Sequence, residues 1–304
     1  MRNGRYLRLS VVLALLILAV VAILWFDAFG HSPSTTPSSA SQLLLAVLDV
    51  GQADSIFIKT AAGRTMLVDA GNEAADTQHV ILPYLEKQGV TSLDYLVLTH
   101  PDQDHVGGMP ALLDGIPVSS FVDSVQPGET NQSYLHTLQR VQSEGMKAIK
   151  ARRGRPDIDL GADTQVQILG PEDPLLTTGS SPTNDNGVVL RLTYGSVSAL
   201  LAADIGQEGE ERLLAHRDNL RSQILKVAHH GSRSSSSTQF LEAVQPEIGL
   251  ISVGAGNSYG HPNRQLLQRL EKRSTTVYRT DVSGAIEVAV DGKGYSVTTQ
   301  KTGS

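Results

Sequence analysis

The stretch Leu93-Asp-Tyr-Leu-Val-Leu98 followed by Thr99-His100-Pro101-Asp102-Gln103-Asp104-His105-Val106-Gly107-Gly108 runs from an apolar strand straight into four metal-capable side chains and stops at a glycine pair. Two His and two Asp within six consecutive positions are costly at the end of a buried strand unless their charge and desolvation are compensated. A metal ion does that, and His100, Asp102, Asp104 and His105 are candidate ligands. The competing reading is a solvated acidic turn in which Asp102 or Asp104 caps the helix that follows.

Two further strands end the same way. Ser198-Ala-Leu-Leu-Ala-Ala203 terminates in Asp204, and Ile224-Leu-Lys-Val-Ala228 terminates in His229-His230-Gly231-Ser232. Taken singly, Asp204 could cap a helix over Gln207–His216, and His229-His230 could be a buried structural pair. Sites in α/β folds gather where strand ends converge, which favours reading the three ends together.

Working outward, strands are predicted over Leu43–Leu48, Ile56–Lys59, Thr65–Val68, Leu93–Thr99, Val166–Leu169, Val188–Tyr194, Ser198–Ala202, Ile224–Ala228, Ile248–Val253, Thr276–Tyr278, Ala285–Val290 and Tyr295–Thr299. Helices are predicted over Val80–Glu86, with Pro83 in its first turn, and over Ser133–Glu144, Glu208–His216, Thr238–Val244 and Arg264–Lys272. Hairpins at both ends with interleaved helices predict an α/β layered fold, two sheets packed on each other with helices outside, in one domain over residues 42–304.

Composition narrows the chemistry. The chain has 304 residues, 40% hydrophobic and 18% charged, with 25 Lys+Arg against 31 Asp+Glu, a net charge of −6. Overall charge therefore does not hold it to nucleic acid, although a local patch could. Cysteine is absent, which excludes disulfides, thiolate metal sites and a cysteine nucleophile and leaves His, Asp, Glu and Asn as ligands.

The N-terminus reads as a separate element. Arg2, Arg5 and Arg8 precede an apolar run from Val11 to Phe26, and no Lys or Arg occurs between Asp27 and Lys59. Residues 1–30 are a signal peptide, with Ala28-Phe29-Gly30 as a small-x-small site, or an apolar membrane-anchoring helix. Either way the basic flank stays inside and the remainder lies outside the cytoplasmic membrane. Residues 31–41 are a Ser/Thr/Pro linker. Residues 1–30 carry three Arg and one Asp, so the remainder holds 22 basic and 30 acidic residues, net −8.

The motifs His-x-Asp-x-Asp-His, a strand-closing Asp and His-His-Gly-Ser resemble the metallo-β-lactamase fold hydrolases. Leu48-Asp-Val-Gly-Gln-Ala-Asp-Ser55, Leu67-Val-Asp-Ala-Gly71, Leu98–Gly108, Asn184-Asp-Asn-Gly-Val-Val-Leu190, Leu225–Ser232 and Tyr259-Gly-His-Pro262 look like the hydrolase domain of the ComEC competence proteins, in order from Leu43 to Thr299. The resemblance implies a four-layer αββα sandwich and a hydrolase with two divalent metal ions. It implies His100 and Asp102 on one ion, Asp104, His105 and His229 on the other, and Asp204 between them. It also implies catalytic roles for Asp104 and His261. The superfamily has His where Asp102 stands, and a further histidine before strand Val188–Tyr194 where this chain offers Asn184 or Asn186. A site with fewer nitrogens is harder, which suits Mn²⁺ or Mg²⁺ better than a three-His Zn²⁺ site would.

Two ions acidify a water and clamp both oxygens of a displacement, which is phosphoester chemistry. The expectation is an extracytoplasmic phosphodiesterase or nuclease; the alternatives are a hydrolase of another small or wall-associated ester (phosphoester, lactone or β-lactam) or a binding module that retains the fold. His230, Ser232, Arg233 and His261 are candidate substrate contacts, His261 also a proton donor to the leaving group. Asp49 and Asp69 end strands near the site as supports rather than ligands. Arg140, Lys147, Lys150, Arg152, Arg153 and Arg155, opposed within the stretch by Glu144 alone, read as a DNA-backbone contact or as a solvated face. A role in DNA uptake requires a partner that forms the channel, since one apolar segment cannot.

Overall fold

A computed structural model describes residues 42–155 and 158–301; the apolar segment and the Ser/Thr/Pro linker lie outside the described residues. Among the described residues, no helix is long and apolar enough to cross a membrane.

Among the described residues, fourteen strands form two sheets. In chain order they are β1 (Leu43–Val47), β2 (Ile56–Lys59), β3 (Thr65–Val68), β4 (Leu93–Leu98), β5 (Val118–Asp123), β6 (Lys147–Lys150), β7 (Thr164–Gly170), β8 (Val189–Tyr194), β9 (Val197–Leu201), β10 (Ile224–Lys226), β11 (Ile248–Ile251), β12 (Thr276–Arg279), β13 (Ile286–Val290) and β14 (Tyr295–Thr299). The first sheet has the order β14-β13-β1-β2-β3-β4-β5-β6 and the second β12-β11-β10-β9-β8-β7. Strands β3 to β6 run parallel to one another, as do β9 to β12.

Layering follows from the two-residue period of a strand. On β1, Leu43, Leu45 and Val47 join a core shared with Val166, Ile168, Leu190, Leu192, Leu201 and Leu250 of the second sheet. The alternate residue, Ala46, faces a separate core with Phe57, Leu67, Leu96 and Leu98, covered by Ile81, Leu85, Met109, Leu112 and Val141 from helices. A third core sets Leu200, Leu225 and Ile251 against Leu213, Phe240, Leu241, Leu266 and Leu270. Three apolar layers between four structural layers make an αββα sandwich. Because both faces of the central strands are covered, they read in sequence as unbroken apolar runs.

β2, β3, β14 and the helix Thr238–Val244 match the sequence expectation at both ends, and most others shift by one or two residues. The helix Met109–Gly115 and strands β5 and β6 were not legible. β5 mixes Ser119 and Ser120 into its run, and β6, Lys147-Ala-Ile-Lys150, is a short edge strand with one buried residue. Pro83 stands in the first turn of helix Leu82–Lys87, which continues a π turn over Thr77–Ile81.

Candidate metal centre

The carboxyl ends of β3, β4, β9, β10 and β11 meet at one end of the sandwich and deliver Asp69, Thr99–His105, Asp204, His229–His230 and Ser252. A cleft of about 590 Å³ opens there, lined by Asp102, Asp104, Asn184, Asp204, His229, His230, Tyr259 and His261 among others. The backbone is held in unusual conformations to achieve this. Of the nine described non-glycine residues with positive φ, Asp69, Ala203, His229 and His230 stand at this site. Such conformations cost of order 1–3 kcal/mol each and concentrate at functional centres.

Asp104, His105, Asp204 and His230 bring one ligand atom each within 4.8 Å of one another. His105 Nε2 lies 3.4 Å from Asp204 Oδ2 and 3.9 Å from Asp104 Oδ2. His230 Nε2 lies 3.1 Å from Asp104 Oδ2 and 3.5 Å from Asp204 Oδ2. His100 packs beside His105, ring centroids 4.1 Å apart, with its Nε2 3.5 Å from Asp102 Oδ2. Asp102 is the residue before helix Gln103–Val106 but its side chain caps nothing, and Asp204 lies two residues before the N-cap of helix Gln207–Ala215, which is Gly206. The capping alternatives therefore do not use these carboxylates.

The set fits divalent ions. His100 Nε2, His105 Nε2 and Asp204 Oδ1 are buried without any hydrogen-bond partner, a costly state for polar atoms that a cation would relieve. The charge pattern agrees. Burial opposes an imidazolium at His105, yet Asp204, Asp69 and Asp104 raise its pKa well above the usual histidine value. His230 is likewise pushed up to about 10, against burial, by Asp204 and Asp54. Burial raises Asp204, but His230 and His105 hold it well below the carboxylate range. These carboxylates favour positive charge beside them, as a divalent ion would supply.

The support is also in place. His105 Nδ1 meets Asp69 Oδ2 at 2.8 Å. Asp69 also accepts from Thr99 N and Thr99 Oγ1, both at 2.8 Å, and the Thr99 hydroxyl lies 3.0 Å from His100 Nδ1. His230 Nδ1 faces the Ser252 carbonyl at 2.9 Å. Each ring is thus held by one nitrogen with the other turned to the cluster, the arrangement that fixes tautomer and direction in metal-binding histidines.

The sequence expectation and the geometry differ in several particulars. His230, expected at the substrate, is buried in the ligand cluster. His229, expected on the second ion, lines the cleft at its edge, 3.9 Å from Asp204 Oδ2. Both residues have positive φ, and tertiary packing buries His230 while leaving His229 part-exposed. Both amide atoms of Asn186 are spent on the backbone of Leu176, at 2.9 Å each; Asn184 lines the cleft and accepts from Ser181 Oγ at 2.7 Å. Ser232 is buried beside Ser234, and Arg233 lines a separate concavity with Gln207, Glu211 and Arg269. Neither reaches the cleft, because the chain turns away after Gly231. Asp49 is absent from the cleft too and pairs with Lys301 at 3.4 Å. Asp69 supports the site as expected.

The basic run is largely consumed. Arg140 pairs with Asp114 and Glu144 at 2.8 and 2.7 Å. Arg152 is buried, donating to the carbonyls of Ser124 and Ala151 and to Asp173 Oδ1 at 2.6 to 2.7 Å. Arg153 makes a bidentate pair with Asp218. Apart from Glu144, the opposing carboxylates Asp114, Asp173 and Asp218 come from outside the stretch, which local charge counting cannot see.

Sequence reasoning missed the pair Asp54–Lys226. Lys226 Nζ donates to Asp54 Oδ2 at 2.5 Å, both side chains being fully buried, and Asp54 Oδ1 lies 3.4 Å from His230 Nδ1. Burial raises the Asp54 pKa, but Lys226 and then His230 reverse this and hold it far below the usual carboxylate range. A lysine in the middle of the otherwise apolar run Ile224-Leu-Lys-Val-Ala228 was the available signal.

Fold and site together define a class: residues 48–255 match the metallo-beta-lactamase superfamily, and the chain belongs to it, with a metallo-hydrolase fold. Within it the chain is related to the ComEC-type competence proteins. It is similar to ComE operon protein 3 of Bacillus subtilis (strain 168), 32% identical over 267 residues, covering 83% of this chain and 33% of that protein. It is similar also to competence protein ComA of Neisseria gonorrhoeae, 33% identical over 277 residues, covering 90% of this chain and 36% of that protein. The chain thus spans about a third of the length of these curated relatives. Among solved structures, CmlA, a diiron beta-hydroxylase from Streptomyces venezuelae, is similar at 15% identity and a TM-score of 0.49, covering 78% of this chain and 52% of that chain.

Proposed function

We propose that this protein is a two-metal phosphodiesterase, a nuclease, acting outside the cytoplasmic membrane. The observation that carries the reading is the set of buried atoms without a hydrogen-bond partner, His100 Nε2, His105 Nε2 and Asp204 Oδ1, beside a cleft that Asp104, Asp204 and His230 line. His100 and Asp102, with Asn184 beside them, would hold one ion; Asp104, His105 and His230 the other; and Asp204 would serve both. Zn²⁺, Mn²⁺ or Mg²⁺ would, when bound, supply an acidified water and a clamp on the oxygens of the displacement.

The remaining chemistry belongs to the chain. Asp104 is the carboxylate of the four-residue cluster most open to the cleft, its side chain about a third exposed, and it orients the attacking water by accepting its hydrogen. His229 and His261 wall the cleft with their rings edge to face, centroids 5.7 Å apart. Burial, then the neighbouring His229 and His230, lower the His261 pKa. A neutral His261 ring donates an N–H to a phosphate oxygen better than it protonates a leaving group. The name of one relative refers to competence, which supports a nucleic-acid substrate and, in uptake, a channel-forming partner.

The test is a panel of Mn²⁺, Zn²⁺ and Mg²⁺ against single-stranded DNA, double-stranded DNA and a chromogenic phosphodiester. Metal-dependent cleavage of DNA that is lost in Asp104→Ala and His230→Ala is the expected result. Activity on the chromogenic ester alone would remove the nuclease assignment, and no activity with any metal would leave a binding module. The location rests on Arg2, Arg5 and Arg8 ahead of the apolar run, which anchors the chain in the cytoplasmic membrane or is cleaved from it. Protease added to intact spheroplasts should degrade an anchored domain, and its protection would overturn the orientation.

A further inference from the structure

Among the described residues the large apolar side chains left exposed are Val125, Tyr259 and Val282, and Tyr259, at 71%, is the most exposed of them. Of the three it alone lines the cleft over the metal-ligand cluster. A ring that open at a cleft presents a free aromatic surface to whatever enters.

The ring is mounted. It stacks on His261 with centroids 5.8 Å apart and planes 25° from parallel, and His261 is itself braced by His229. The loop beneath is tied by one side chain. Asn257 Oδ1 accepts from Tyr259 N at 3.2 Å and His261 N at 3.1 Å, while its Nδ2 donates to the carbonyls of Gly254 at 2.9 Å and His261 at 2.6 Å. A preformed platform loses little freedom when something settles on it.

The charges around it restrict what that ligand is. Among the described residues lining the cleft there is no Lys or Arg, but there are Glu73, Asp76, Asp102, Asp104 and Asp204. A polyanion cannot be tracked along this cleft by cations, so grip away from the reacting phosphate must come from an uncharged part of the substrate. A planar base meets a planar ring without needing charge.

We propose that Tyr259 is the stacking platform for one base of a single-stranded nucleic acid next to the scissile phosphate, and so a residue that determines specificity. Resting on the nuclease reading, this names which form of polynucleotide the cleft takes. A base within a duplex is already stacked and is not free to settle on the ring.

The experiment compares the full-length wild-type chain with Tyr259→Ala and Tyr259→Phe on two strands of equal length. One is ordinary single-stranded DNA carrying one 2-aminopurine; the other is an abasic sugar-phosphate strand. With Mn²⁺ present, Tyr259→Ala should raise KM on the base-bearing strand by about 5- to 150-fold, the range of one base-stacking contact. Its kcat and its KM on the abasic strand should stay close to wild type, and Tyr259→Phe should behave as wild type on both. Without metal, binding should quench 2-aminopurine fluorescence in wild type and Tyr259→Phe but not in Tyr259→Ala. Equal KM values of the wild type for the two strands would overturn the proposal while leaving the nuclease reading intact. A loss in Tyr259→Ala of the same size on both strands would mean that the ring contacts sugar, as for a saccharide phosphodiester, and would overturn base stacking. Failure to cleave either strand would sink the nuclease reading itself, and this proposal with it.

Discussion

Each proposed ligand is only as good as the atom behind it. His105 is aimed by Asp69, whose carboxylate is fully occupied by His105 Nδ1, Thr99 N and Thr99 Oγ1. Asp69→Asn keeps the shape but removes the acceptor facing His105, and should weaken metal binding about 10- to 100-fold with little change in fold. Isothermal titration with Mn²⁺ or Zn²⁺ measures it, and an unchanged affinity would contradict the supporting role. Protons supply a second test. His105 and His230 hold protons far above the usual histidine range, burial being outweighed by the surrounding carboxylates. An ion entering at pH 7 must displace them, so binding should release about two protons per cluster and weaken as the medium is acidified. Titration in two buffers of different ionisation enthalpy counts those protons; release near zero would mean the rings are neutral before the ion arrives.

The elements place these residues by way of close approaches. A Cβ on Gly107 would lie 1.8 Å from Asn72 O, and one on Gly108 would lie 2.1 Å from Ala70 O. Only glycine lets the turn after His105 press against the loop that follows β3. Gly108→Ala should therefore cost roughly 3 kcal/mol or more, as overpacking against backbone does. The other tie between elements is Lys226 on β10 with Asp54 in the β1–β2 turn, 172 residues apart in the chain. Lys226→Met takes the closest counter-charge from buried Asp54, leaving only His230 beside it, and should cost about 3 kcal/mol, whereas Lys226→Met with Asp54→Leu should recover much of that. Denaturant unfolding of the three proteins decides it; equal stability of single and double variants would show that the charge left behind is not what matters.

At the scale of the molecule, stability and ligand binding carry separate electrostatic signatures. Glu210, buried in the helix Gln207–Ala215, accepts from Ser236 N and Ser237 N, and burial pushes its pKa up to about 7. The unfolded carboxyl ionises near 4.5. Between these values the folded state holds the proton more tightly, so stability from this group is complete below 4.5 and declines as pH rises to about 7, by up to ~3 kcal/mol. Glu210→Gln should flatten that part of the stability–pH curve, and an unchanged difference between variant and wild type across pH 4.5 to 7 would contradict it. Nucleic-acid binding, in contrast, should depend weakly on salt. With Arg140, Arg152 and Arg153 paired inside the protein, a log-log slope no steeper than about −2 is expected. A steep slope would require a phosphate-contacting surface elsewhere on the chain.

What could be read along the chain was whatever is local. Apolar runs of strand length, the glycine pair and the cluster from His100 to His105 were sufficient for the layered α/β fold and for four of the residues at the centre, because strand period and ligand density are properties of neighbours in sequence. The choice of His230 over His229 for the interior and the diversion of Ser232 and Arg233 from the cleft were settled by the direction in which a turn leaves its strand, and that of Asn184 over Asn186 by the hydrogen bonds of Asn186 to the backbone of Leu176. Periodicity does not encode that direction where φ is positive. The basic run looked like a surface for DNA because its counter-charges, Asp114, Asp173 and Asp218, arrive from other elements. Lys226 stood out in its apolar run, but its partner Asp54 could not be named for the same reason: a buried ion pair is a relation between distant parts of the chain, and only the packing of the two sheets brings its members together.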